Sequence, residues 1–150
     1  MDGKMFMIMD DFLQESDVEK CILYVEQKKI QQGIVSDDEF CQYMFATYRE
    51  KFTEMGIKKL GRHITITNTN RGLKKHTDIV LDKKNRYKIL IYLNNVKDGG
   101  TIFFVKDKDY LIENRRNRLV LFDASIEHCS QVFDDCLVKK VIGFRPILFF

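Results

Sequence analysis

At 150 residues the protein has the size of one ordinary domain, and 45 % hydrophobic residues are enough to bury a core. A net charge of +3, spread along the sequence, permits an acidic or nucleic-acid partner without arguing for one. No run approaches the ~20 apolar residues of a membrane span, and the four cysteines form no CxxC pair, which excludes a zinc-type spacing or a disulfide framework.

Met1 to Met9 carries Asp2 and Lys4, runs into Asp10-Asp11 and has no small-residue cleavage site. It does not resemble a signal peptide, so the protein is expected to be intracellular and cytoplasmic. Phe6 to Met9 predicts a short strand, and Ser16 or Asp17 offers a helix cap. Val18, Cys21, Ile22 and Val25 recur at helical spacing and predict a helix to Lys29. Gln31 to Asp38 reads as a turn region around Gly33. Phe40, Tyr43, Met44, Thr47, Tyr48 and Phe52 predict a second helix to about Met55.

After Gly61 the pattern changes to short β-branched and aromatic runs: 63–69, 76–81, 87–94, 101–106, 118–123, 130–133 and 138–149. Gly99-Gly100, Asp82-Lys83-Lys84-Asn85 and Asp134-Asp135 separate them as turn signals. Pro146 is the one proline, and no linker or repeat interrupts the sequence. The expectation is one α+β domain, 1–150, with a strand plus helices over 1–60 and a β-sandwich of about seven or eight strands over 61–150.

The chemistry-bearing pattern is His76-Thr77-Asp78 followed by His128 in Ile126-Glu127-His128. Two imidazoles and a carboxylate are the ligand set of the facial triad that holds Fe(II) and leaves positions open for substrates. His76 and Asp78 at i and i+2 would point to one side of a strand. His128 can join them only through a fold that returns the backbone to the same place. His63 stands outside the pattern and is read as structural or exposed.

Four segments in order resemble the iron(II)/2-oxoglutarate-dependent dioxygenases, nearest to the prolyl-4-hydroxylase-like branch. They are Met7-Ile8-Met9-Asp10-Asp11-Phe12-Leu13 with its helix; Lys75-His76-Thr77-Asp78; Ile91-Tyr92-Leu93-Asn94 with Gly99-Gly100-Thr101-Ile102-Phe103; and Arg118-Leu119-Val120-Leu121-Phe122-Asp123 with Glu127-His128. The resemblance runs from about residue 6 to the C-terminus. It implies a double-stranded β-helix, a jelly-roll or cupin-like β-sandwich with N-terminal helices packed on one sheet.

It also implies the catalytic metal ligands His76, Asp78 and His128, with Fe(II), 2-oxoglutarate and O2 as cofactor and cosubstrates and ascorbate as a candidate reductant. For the far carboxylate of 2-oxoglutarate the candidates are Lys139, then Arg145 on the same strand face, with Lys140 facing the other way. Tyr92 is a further candidate for that carboxylate. The family often has a tyrosine upstream of HxD; this sequence has Asn68 and Asn70, and Asn68 is a weak candidate by likeness to nucleic-acid demethylases.

The expected reaction is hydroxylation of a substrate C–H bond, first in a protein residue such as proline, with a protein or peptide partner. The alternative is oxidative demethylation of alkylated nucleic acid, for which Arg71, Lys74, Lys75, Lys83, Lys84 and Arg86 could contact phosphates. A non-catalytic binding module on the same fold is the third reading.

Overall fold

The computed structural model describes residues 6–72, 74–77 and 86–149. The elements in order are β1 (Phe6–Met9), α1 (Glu15–Lys28), β2 (Gln32–Ser36), α2 (Asp38–Thr47), α3 (Arg49–Glu54), β3 (Ile57–Thr69), β4 (Tyr87–Tyr92), β5 (Thr101–Val105), β6 (Lys108–Ile112), β7 (Leu119–Asp123), β8 (Glu127–Ser130) and β9 (Lys139–Phe149). A six-stranded antiparallel sheet runs β1-β7-β4-β9-β3-β2, and a three-stranded sheet runs β6-β5-β8. The expected α+β class and its double-stranded β-helix are present. No helix among the described residues is long and apolar enough to cross a membrane.

Strand parity builds two cores from one large sheet. Ile89 and Ile91 of β4, Leu119 and Leu121 of β7, and Ile142 and Phe144 of β9 join Val18, Cys21, Val25, Met44 and Phe52 on the helix side. Their alternates Tyr92, Val120, Phe122 and Val141 pack with Phe103 and Ile112 between the sheets. All five residues of β7 are buried, as for a strand covered on both faces. The segment between β1 and α1 is tied to the turn before β7 by Asn117. Its Oδ1 accepts from Leu13 N at 2.9 Å, and its Nδ2 donates to Leu13 O at 2.8 Å.

Several local expectations change. Ser16 and Asp17 do not cap α1; they lie inside it, and Gln14 takes the cap position without a side-chain bond. Asp17 is instead buried and accepts hydrogen bonds from the hydroxyls of Tyr43, at 2.5 Å, and Tyr48. The second helix is two, α2 and α3, divided at Tyr48. The turn expected over Gln31 to Asp38 is mostly strand β2, because Ile34 and Val35 pair with Thr65 and Ile64 of β3. Strand β6 is additional to the expected runs, and β8 ends at Ser130 instead of spanning 130 to 133. Of the strand expected over 76–81, His76 forms an antiparallel bridge to His128, and 78–81 lie outside the described residues.

Candidate active site

Between the two sheets lies a cavity of ≈ 240 Å³. One wall is the inner face of the large sheet: Lys88, Leu90 and Tyr92 of β4, Lys139 and Val141 of β9, and Thr65 and Thr67 of β3. The other wall is His76, Thr101 of β5 and His128 to Ser130 of β8. Gly143 belongs to the large-sheet wall: a Cβ there would fall on Thr65 Oγ1, its directly paired neighbour.

The two histidines are locked to one another through the backbone. His76 N donates to His128 O at 2.9 Å, and His128 N donates to His76 O at 2.8 Å. Directly opposed residues on antiparallel segments project to the same face, and the ring centroids stand 4.4 Å apart. His128 is buried between Phe103 and Phe122 at 5.6 and 5.1 Å; His76 is half-buried. Each ring sets its Nδ1 against a carbonyl two residues upstream: Lys74 O at 2.5 Å for His76 and Ile126 O at 2.8 Å for His128. A carbonyl oxygen only accepts, so Nδ1 carries a proton in both rings, which leaves Nε2 as the nitrogen that can ligate a metal.

At the far end Lys139 is 4 % exposed, and burial alone pulls its ammonium down to about 8. Its Nζ stands 5.5 Å from the Tyr92 ring centroid, within cation–π range. Among the described residues no carboxylate pairs with it. The Tyr92 hydroxyl shares a 2.6 Å hydrogen bond with Thr101 Oγ1, and burial pushes this phenol up to about 12, so it stays protonated.

Asn94 fixes the peptide units on either side of Lys139. Its Nδ2 donates to Val138 O at 2.8 Å and its Oδ1 accepts from Lys140 N at 2.9 Å.

No protein-family model and no curated protein sequence matches this sequence. Solved structures do. A prolyl hydroxylase from Trichoplax adhaerens, in complex with a hypoxia-inducible-factor peptide fragment, superposes with TM-score 0.70 at 14 % identity, covering 97 % of this protein and 84 % of that one. The viral collagen prolyl hydroxylase of Paramecium Bursaria Chlorella virus-1, as a 2-oxoglutarate complex, gives 0.69 at 15 %, with 96 % of both proteins covered. HygX from Streptomyces hygroscopicus, with nickel and 2-oxoglutarate bound, gives 0.68 at 11 %, covering 96 % and 82 %. The fold is that of the 2-oxoglutarate oxygenases.

Tested against what such oxygenases hold, the side chains fit. Neutral imidazoles with Nδ1 anchored to a carbonyl are the form in which histidine ligates a metal through Nε2. A desolvated ammonium with no carboxylate beside it among the described residues is matched to an anionic ligand, since an unpaired buried charge is otherwise costly.

The structure brings His76, His128, Lys139 and Tyr92 to one cavity. Asp78 lies outside the described residues. Arg145 shares the strand face of Lys139 as expected, but it is six residues on, about 20 Å along an extended strand. It lies beside Gly61 and does not line the cavity. Asn68 is also removed from the cavity. It pairs with Lys140 in register, and its Oδ1 accepts from Lys140 Nζ at 3.2 Å on the side away from Lys139. Its neighbour Thr67, paired with Val141, takes the inward position. Lys88, buried in the cavity wall, is a site residue that the motifs do not mark, although it shares strand parity with Tyr92. His63 is exposed, bonded to Ser36 Oγ at 3.1 Å.

Proposed function

We propose that the protein is an Fe(II)- and 2-oxoglutarate-dependent dioxygenase that hydroxylates a C–H bond of an amino-acid residue in a protein or peptide, with proline the first candidate. The observation that carries this reading is the pair of backbone-locked histidines, each with Nδ1 anchored to a carbonyl, lining a cavity that ends in the buried ammonium of Lys139. The overall change converts substrate C–H, O2 and 2-oxoglutarate into substrate C–OH, succinate and CO2.

In this reading His76 and His128 hold the metal, and Asp78 supplies the carboxylate. Bound ferrous iron contributes the O2 chemistry that protein side chains cannot supply. The protein's own contribution is binding, orientation and exclusion of water. Lys139 takes the far carboxylate of 2-oxoglutarate, and that anion favours its charged form. Tyr92 and Thr101 line the same end, and their shared hydrogen bond leaves one hydroxyl proton of the pair for a ligand. Leu90, Val141, Phe103 and Phe122 give the cavity apolar surroundings. The peptide substrate class is supported by the peptide complex of the Trichoplax fold neighbour.

The nucleic-acid reading is weaker, because Asn68, its support besides the basic rim, bonds Lys140 outside the cavity. The deciding experiment supplies Fe(II), ascorbate and 2-oxoglutarate to the purified protein. It follows succinate together with one added oxygen on proline peptides by mass spectrometry. Formaldehyde release from methylated oligonucleotides in place of peptide oxidation would transfer the assignment to demethylation. Absence of succinate under all conditions would leave a binding module.

A further inference from the structure

A second cleft, ≈ 490 Å³, adjoins the histidine cavity, and Cys129 and Ser130 form a wall common to both. Its remaining lining comes from the segment leading into His76, namely Asn70, Arg71, Gly72, Lys74 and Lys75, and from the loop after β8. The floor is tight: a Cβ on Gly72 would stand 2.9 Å from Ser130 Cβ and 3.2 Å from Gln131 O. Asn70 Nδ2 donates to Asp135 O at 3.1 Å, tying the two segments together on one side. Lys75 is already committed, 3.1 Å from Glu127 and 4.1 Å from the Phe104 ring centroid. Arg71 and Lys74 are exposed and make no ion pair among the described residues. Opposite them Val132 is 95 % exposed, and Phe133 is packed beneath.

We propose that this cleft is the docking site for an extended substrate peptide bearing an acidic side chain near the hydroxylated residue, received by Arg71 and Lys74, with an apolar neighbour resting on Val132. The inference rests on the peptide-hydroxylase reading above. Charge complementarity selects the occupant. Two exposed cations beside an apolar residue suit one carboxylate on a peptide that also carries apolar groups. A polyanion would meet Glu127 beside Lys75 and would find no aromatic stacking platform in the exposed part of the lining. The cleft shares Cys129 and Ser130 with the histidine cavity, which places a peptide bound in the cleft beside that cavity.

The test uses fluorescently labelled proline peptides whose flanking residues are Asp/Glu, Asn/Gln or Lys. Their binding to the whole, metal-free protein is read by anisotropy. Two exposed charge pairs lead us to expect the acidic peptide to bind roughly tenfold more tightly than the neutral one at low salt, with the advantage shrinking as salt rises. The doubly substituted Arg71→Glu, Lys74→Glu protein should prefer the Lys peptide. The milder Arg71→Gln, Lys74→Gln pair should abolish the preference, and Arg71→Gln alone should weaken it while peptide-free succinate formation stays at the wild-type rate. Equal binding of acidic and neutral peptides, a preference that survives both double variants, or stronger competition by a single-stranded oligonucleotide would overturn the proposal. Turnover of peptides with no acidic preference would remove the docking site and leave the hydroxylase reading. Acidic-selective binding without turnover would remove the hydroxylase reading and leave the surface.

Discussion

Lys139 should destabilise the ligand-free protein and be required by the ligand-bound one. Burial lowers its ammonium from 10.5 to about 8. At about 1.36 kcal/mol per unit, that displacement corresponds to a cost of about 3 kcal/mol at pH 7. The sign follows from proton counts. Below pH 8 the folded and unfolded states both carry the proton and the cost is complete. Between about 8 and 10.5 the unfolded state binds more protons, so stability at this residue rises with pH. Above 10.5 neither carries the proton and the cost is gone. Lys139→Met keeps most of the length of the side chain and removes the charge. The variant should be more stable without ligand by about 2–3 kcal/mol at pH 7, a gain of roughly 4–10 °C in thermal midpoint for a protein of this size. The gap should close as pH is raised from 8 to 10.5. Saturating 2-oxoglutarate with a redox-inert divalent metal should raise the wild-type midpoint far more than that of Lys139→Met. Differential scanning calorimetry over the pH series measures all of this. A Lys139→Met protein less stable than wild type without ligand, or an equal 2-oxoglutarate shift in both, would refute the reasoning.

Further outcomes are expected. His76→Ala should lower succinate formation by at least about 100-fold, since losing even a supporting partner of a ligand costs 10–100-fold. Its metal-free midpoint should stay near wild type, because the bonds to His128 are made by the backbone. Asn94→Ala should raise the KM for 2-oxoglutarate about 3–10-fold with a smaller change in kcat. It removes two bonds of about 1 kcal/mol each from the peptides flanking Lys139, and steady-state kinetics at pH 7 reads the effect. Asp17→Ala should cost about 2–4 kcal/mol in urea unfolding by leaving two tyrosine hydroxyls without their carboxylate. Because α1 packs on the opposite face of the large sheet, its turnover per folded molecule should be unchanged.

The gap between pattern and structure follows strand geometry. β4, β5, β7 and β9 are apolar runs bounded by turn residues, and their existence is readable because alternation is a local property. β2 is not: Gln32-Gly33-Ile34-Val35-Ser36 is short and contains glycine, and it becomes a strand only because β3 offers an edge to pair with. Asn68 shows the same limit at the site. One residue of register separates it from Thr67, and that step carries a side chain to the opposite face of the sheet. β3 also changes register against β9 between Leu60 and Ile64, an irregularity that composition does not announce. Arg145 shows that facing the right way is insufficient, since a strand face is longer than a cavity.

The order His76…Tyr92…His128…Lys139 and the parity of each residue on its own strand were determined by the sequence alone, because both depend only on neighbours along the backbone. Tertiary structure decided which strands meet. It placed His76 against His128 through paired backbone bonds, buried Lys139 away from every described carboxylate, and brought Lys88 into the cavity wall. The reason is physical. Hydrogen-bond partners across a sheet and the dielectric around a charge are set by residues distant in sequence, and both arise only once the two sheets have closed on each other.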